Sequence, residues 1–212
     1  AIVPLPSSIQ CNETSLSYAQ LDPAQFNIRL GKDSKSRSSQ VLTAAISSYG
    51  KLIFDQPSLN SRGIVSPELV YGTDDDIEQV SSTEKLDVAI LNELVIEVES
   101  DFHTETKRLD DDESYSLYIG KMGGRTSALV KSKTIWGALY GLESFSQMVS
   151  DSYTIQNIPM NIIDTPRYPW RGLLLDTSNH FINRNHLLRL IDAMAACKLN
   201  TLHWHIVDSY SF

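Results

Sequence analysis

The chain has 212 residues, 42% of them apolar, and a net charge of -8 from 18 basic and 26 acidic side chains. That length allows one domain of ordinary size with a real core and part of a second. The acidic balance speaks against a nucleic-acid partner, which wants a basic face, and no apolar run reaches the roughly 18 residues of a membrane span.

Residues Ala1 to Ile9 lack the basic and apolar regions of a signal peptide; such a leader is expected to have been removed or not to be included in this sequence. Asn12-Glu13-Thr14 fits the acceptor pattern for N-glycosylation. Two cysteines make no disulfide framework. Cys11 lies in a polar segment and is free to pair with another cysteine; Cys197, after Ala195 and Ala196, reads as a small buried helix residue.

Residues 34–39 are polar and open a helix. Val41, Leu42, Ala45, Ile46 and Tyr49 recur at helical spacing, which predicts a helix over 39–49 ended by Gly50. Residues 55–84 hold no period and read as loop. Leu86, Val88 and Ile90 alternate, as do Leu94, Ile96 and Val98, and again Tyr115, Leu117 and Ile119; each set predicts a strand. Asp110-Asp111-Asp112-Glu113 lacks the spacing of a calcium loop and reads as a solvated hairpin turn. Gly120 to Arg125 lacks the phosphate-loop ending and reads as a turn before a short strand at Ala128 and Val130. A helix follows over 133–149, with Trp136 packing on its face.

Two prolines in Thr165-Pro166-Arg167-Tyr168-Pro169 make a helix-hostile connector. Beyond it, Arg171 to Thr177 and Thr201 to Asp208 read as strands buried on both faces. Between them lies a helix capped by Asn183 or Asn185, with Leu187, Leu188, Ile191, Met194 and Ala195 on its apolar face and Lys198 at its negative end. Strand, helix, strand at this spacing predicts a parallel βαβ unit.

Functional groups collect at the carboxyl ends of parallel strands. Asn179 and Asp208 follow the two predicted strands, so they should share one mouth; helix capping is the competing use of such polar residues. His203 and His205 share a strand face, but no third ligand stands at zinc spacing. They are expected to hydrogen-bond inside the core, with no metal bound. No Gly-x-Ser-x-Gly nucleophile elbow occurs.

Tyr168-Pro169-Trp170-Arg171-Gly172-Leu173-Leu174-Leu175-Asp176-Thr177-Ser178 resembles the opening of the catalytic barrel of glycoside hydrolase family 20, the β-N-acetylhexosaminidases. Asp192 to Ala195 and Lys198 to Asp208 resemble its first helix and second strand. Trp136 to Gln147 resembles the last helix of its N-terminal domain, and Pro4-Leu5-Pro6 its start. The resemblance implies an α/β fold: an N-terminal sheet-and-helix domain over 1–165, then the first two strands of a (β/α)8 barrel over 166–212, far short of the about 250 residues of a whole barrel. It implies hydrolysis of terminal β-linked N-acetylhexosamine by substrate-assisted retention, in which the substrate's acetamido oxygen replaces an enzyme nucleophile.

The Asp-Glu pair that orients the acetamide and protonates the leaving oxygen belongs to a later strand, so this stretch is expected to lack it and to be inactive alone. Asp208 matches an aspartate that supports the acid–base glutamate through a histidine. Asn179 stands where the family has an arginine that grips the sugar. Asparagine loses the charge and the fork, which motivates a second reading as a non-catalytic sugar-binding paralogue or partner subunit. The resemblance further implies a glycan substrate, no cofactor, a secreted or lysosomal setting, and allows a homo- or heterodimer through the barrel.

Overall fold

The computed structural model describes residues 2–11, 17–54, 87–100 and 106–210. Among these residues the elements run β1 (Ser8–Cys11), β2 (Ser17–Leu21), β3 (Asn27–Leu30), α1 (Gln40–Phe54), β4 (Asp87–Leu91), β5 (Glu93–Val98), β6 (Tyr115–Met122), β7 (Arg125–Ser132), α2 (Ile135–Met148), β8 (Thr154–Gln156), β9 (Met160–Asp164), β10 (Gly172–Asp176), α3 (Arg184–Ala196) and β11 (Thr201–His205).

The main sheet has six strands in the order β1-β9-β6-β7-β5-β3. Its β1, β9, β6 and β7 pair antiparallel, and β7, β5 and β3 pair parallel. Alternation decides which face is buried. Leu94, Ile96 and Val98 of β5, Tyr115, Leu117 and Ile119 of β6, and Ala128 and Val130 of β7 all point into the core. Ile135, Ala138, Leu142 and Phe145 of α2 meet them from above. A smaller sheet, β4-β2-β8, adds Ala19, Leu21, Leu91 and Ile155 to the same core.

Two glycines set how closely α2 lies on the sheet. A Cβ at Gly137 would run into the Ser114 carbonyl oxygen, and one at Gly141 would meet Val130 Cγ1 at 2.6 Å. Thr134 caps the helix: its Oγ1 accepts from the Trp136 and Gly137 amides at 3.2 and 3.4 Å. Gly123 and Gly124, at φ 58° and 84°, form the tight β6–β7 turn.

The predicted strands at 94–98, 115–119 and 128–130 and the second helix are all present. Residues 55–86, and with them the predicted loop, lie outside the described residues. Helix α1 does not stop at Gly50 but continues to Phe54. The glycine costs about 1 kcal/mol, set against the burial of Ile53 and the packing of Phe54 on Phe26 and Tyr153, with ring centroids 5.7 and 5.4 Å apart.

After Pro166–Pro169, β10 and β11 form a separate two-stranded parallel sheet with Asp176 opposite His205. The parallel βαβ unit is therefore present. Burial on both faces is not: Leu174 is 60% exposed and Trp204 40%. The expected apolar face of α3 buries only Met194, while Leu188 and Ile191 are exposed. Cys197 is exposed rather than buried, because it caps the end of α3. A two-stranded ribbon with one helix has too few layers to enclose such surfaces. No helix among the described residues is long and apolar enough to cross a membrane.

Candidate functional site

The parallel register fixes what happens at the carboxyl ends of β10 and β11. Asp176 pairs with His205, and Asn179 and Asp208 lie at matching positions beyond that pair. Both follow strands running the same way, so the chain leaves the sheet toward both residues at one end. Thr177 N–H donates to the His205 carbonyl at 3.0 Å, and Trp204 Nε1–H donates to Thr177 Oγ1 at 2.9 Å, extending the pairing past the strands.

Asp176 organises the first loop. Its Oδ1 accepts from Ser178 N–H at 2.9 Å and Ser178 Oγ at 2.8 Å, and its Oδ2 accepts from Asn179 Nδ2 at 2.7 Å. The hydrogen bonds from Asn179 and Ser178 hold the Asp176 carboxyl well below the usual carboxylate range. The Asn179 amide is thus committed to its own loop. Asp208 is exposed and accepts from the Ser209 amide at 2.5 Å. Helix capping is served elsewhere: Asn183 Oδ1 accepts from Asn185 N–H at 2.7 Å.

The paired histidines are not core residues in this chain. His203 is exposed and His205 half-buried, with its Nδ1 4.0 Å from Asp176 Oδ1. Their strand face has no covering layer among the described residues. No group of three or more His, Cys, Asp or Glu side chains gathers to hold a metal among those residues. Asn12 lies outside the described residues.

At the opposite, amino-terminal ends of β10 and β11 is a polar junction that sequence reasoning missed. Glu113, expected in a solvated turn, is buried. Arg171 Nη1 donates to its Oε2 at 2.7 Å, and Lys107 Nζ lies 2.8 Å from its Oε1. Tyr140 Oη and Asn200 Nδ2 also donate to Oε1, at 3.1 and 3.3 Å. Burial alone would raise the Glu113 pKa, but the donors, led by Arg171, outweigh it and hold the acid below its ordinary value. Burial, helped by the Glu113 charge and opposed by Arg171, pushes the Tyr140 phenol up to about 12.

Lys198 makes the second half of the junction. It does not merely neutralise the end of α3. Its ammonium donates to Ser144 Oγ at 2.7 Å, Tyr115 Oη at 2.9 Å and Asp164 Oδ2 at 3.4 Å. Burial lowers its pKa, and the Asp164 carboxylate opposes that shift. Asp164 is held in turn by Ser7, whose amide and hydroxyl donate to Oδ1 at 3.1 and 3.2 Å. The only sequence signal for this junction was an arginine and a lysine flanking otherwise apolar strands.

Two family models match the chain. One, "beta-acetyl hexosaminidase like", matches residues 2–148; the other, "Glycosyl hydrolase family 20, catalytic domain", matches residues 168–212. The chain belongs to glycoside hydrolase family 20. Among its relatives are the pig (Sus scrofa) beta-hexosaminidase subunit beta, 36% identical over 99% of this chain and 35% of that protein, and the Arabidopsis thaliana beta-hexosaminidase 1, 33% identical over 99% of this chain and 36% of that protein. This family 20 chain therefore spans about a third of the length of these relatives.

Solved structures agree on the α/β fold. The Flavobacterium johnsoniae chitobiase aligns with a TM-score of 0.60 at 25% identity, over 98% of this chain and 27% of that one. The Streptomyces coelicolor β-N-acetylhexosaminidase aligns with a TM-score of 0.57 at 19% identity, over 96% of this chain and 34% of that one, and speaks for the fold alone.

Proposed function

We propose that this family 20 chain is part of an exo-acting β-N-acetylhexosaminidase that removes terminal, non-reducing β-linked N-acetylhexosamine from glycans, glycoconjugates or chitin oligomers. Residues 1–165 are its N-terminal α/β domain. Residues 166–212 open its (β/α)8 barrel, with β10 and β11 as the first two strands. The reaction is substrate-assisted retention, in which the acetamido oxygen attacks the anomeric carbon while a carboxylic acid protonates the leaving oxygen. No residues matching the family's Asp-Glu pair occur within 166–212. No cofactor is required.

The observation that carries this reading is the parallel register that brings Asn179 and Asp208 out at one end of β10 and β11. In this reading Asp208 is a positioning residue for the acid–base machinery. Asn179 contacts the sugar where the family resemblance places an arginine. The protein works in a secretory or lysosomal compartment, with Asn12 as a glycan acceptor, and is compatible with homo- or heterodimerisation through the barrel.

A second reading is favoured by the same asparagine. With Asn179 Nδ2 donating to Asp176, the sugar grip is weakened, as it would be in a non-catalytic sugar-binding subunit. The full-length protein assayed on a chromogenic N-acetylglucosaminide separates the two. Turnover supports the hydrolase; sugar binding without turnover supports the second reading.

A further inference from the structure

Lys198 sits in a backbone position that suits another residue. It follows the α3 cap Cys197 at φ 56°, in the left-handed region that favours glycine. Leu199 N–H donates to the Met194 carbonyl at 2.8 Å and Lys198 N–H to the Ala195 carbonyl at 3.0 Å. This two-bond helix ending normally carries glycine at that position. The lysine side chain is nevertheless 2% exposed, sunk between Tyr115, Ser144 and Asp164 of the N-terminal domain. Helix termination does not need that amine.

Arg171 shows the same arrangement one strand away. It stands immediately before β10, and its guanidinium reaches four groups: Glu113 at 2.7 Å, Tyr140 Oη at 3.0 Å, the Lys198 carbonyl at 2.9 Å and, within its own connector, the Tyr168 carbonyl at 2.6 Å. Asn200, immediately before β11, accepts from Arg171 N–H at 3.0 Å and donates to Glu113 at 3.3 Å. The amino-terminal ends of both strands are thus tied to each other and to carboxylates of the other domain. The strands are five residues long, about 17 Å, and parallel hydrogen bonds join them throughout. A shift imposed at one end is therefore delivered at the other, where Asn179 and Asp208 emerge.

We propose that Lys198 and Arg171 are positioning residues, keying β10 and β11 onto the N-terminal domain so that this domain sets the height of the strand ends that carry Asn179 and Asp208. The kinetic consequence rests on the hydrolase reading; the structural one does not.

The test is Lys198→Gly in the full-length protein. Glycine relieves the backbone conflict and removes the amine, so a role limited to ending α3 predicts equal or greater stability and unchanged kinetics. Positioning predicts a fall in kcat/KM of about 10- to 100-fold, together with faster amide hydrogen exchange across 172–176 and 201–205. Lys198→Arg, which keeps a cation, should recover part of both. If Lys198→Gly does not fold, Arg171→Lys is read by the same two measurements: it keeps the charge on Glu113 but loses the fork to Tyr140 and the Lys198 carbonyl. Unchanged exchange in the folded variant overturns the proposal. If the unaltered protein shows no turnover, the hydrolase reading fails, and the exchange experiment still decides the positioning role.

Discussion

Asn179 donates its side-chain amide to Asp176 across 2.7 Å, so the residue proposed to meet the sugar is occupied by the strand end that presents it. A short amide in that bond leaves little to offer a ligand. An arginine would bring a longer side chain with five donors and a fixed charge. Asn179→Arg in the full-length protein should therefore raise kcat/KM for an N-acetylhexosaminide. Charge-assisted hydrogen bonds are worth about 1.5–3 kcal/mol, or about 10- to 100-fold. Steady-state kinetics of the pair of proteins checks this, and equal values would remove Asn179 from the substrate site.

Asp208 leaves β11 where Asn179 leaves β10. Asp208→Asn preserves size and removes the charge. If Asp208 steadies a proton donor, kcat should fall by about 100-fold, the lower end of what placed proton transfer contributes, while KM stays close to its starting value. A change confined to KM would mean that Asp208 touches substrate instead.

Glu113 gives the junction a pH dependence. Its hydrogen bonds hold the folded carboxyl below its ordinary value of 4.5. The stability it contributes is present above that ordinary value and is lost as pH falls through the lower folded value. Glu113→Gln should cost about 1.5–3 kcal/mol near neutrality, since it takes the anion away from the partly buried Arg171. It should also flatten the loss of Tm as pH falls below the ordinary glutamate value of 4.5. Melting curves across that range test both parts, and an unaltered acid slope would count against the assignment.

Gly137 packs where no Cβ fits. The obstacle is the backbone carbonyl of Ser114, which cannot swing aside like a flexible side chain. Gly137→Ala should destabilise by about 1–3 kcal/mol through overpacking, despite alanine's better helix propensity. Gly50→Ala is the control: nothing lies within 4 Å of a Cβ there, so it should stabilise by about 0.5–1 kcal/mol. Thermal unfolding of the two variants should move in opposite directions.

The elements that could be read from the chain are those whose burial has a period. Leu94-Ile96-Val98 and Tyr115-Leu117-Ile119 alternate because one face of the sheet meets α2, and the parallel unit announces itself through its apolar runs and the Asn183 cap. Strands β1, β2, β3, β8 and β9 were invisible. They are three to five residues long and take their conformation from partners far away in sequence, as β1 does from β9. The same distance hid the junction. Glu113 sits in an acidic run that reads as solvated, and what buries it, Arg171, is 58 residues further on. The strand-end residues were legible because parallel pairing alone predicts where they emerge, whereas their exposure was not.

The β3 border of the main sheet has a further meaning. Among the described residues β3 is a four-residue edge strand, and its Arg29 is ion-paired to Glu93 of β5 at 2.8 Å. An edge presents free backbone donors and acceptors that any extended chain can use. A short strand bearing a guanidinium makes such an addition unrewarding, because the incoming segment would have to desolvate the charge. The same pair that contributes little to folding, being half in water, thereby acts as a guard against fibril growth. An apolar residue at position 29 would leave the fold in place and open that border to amyloid-like stacking.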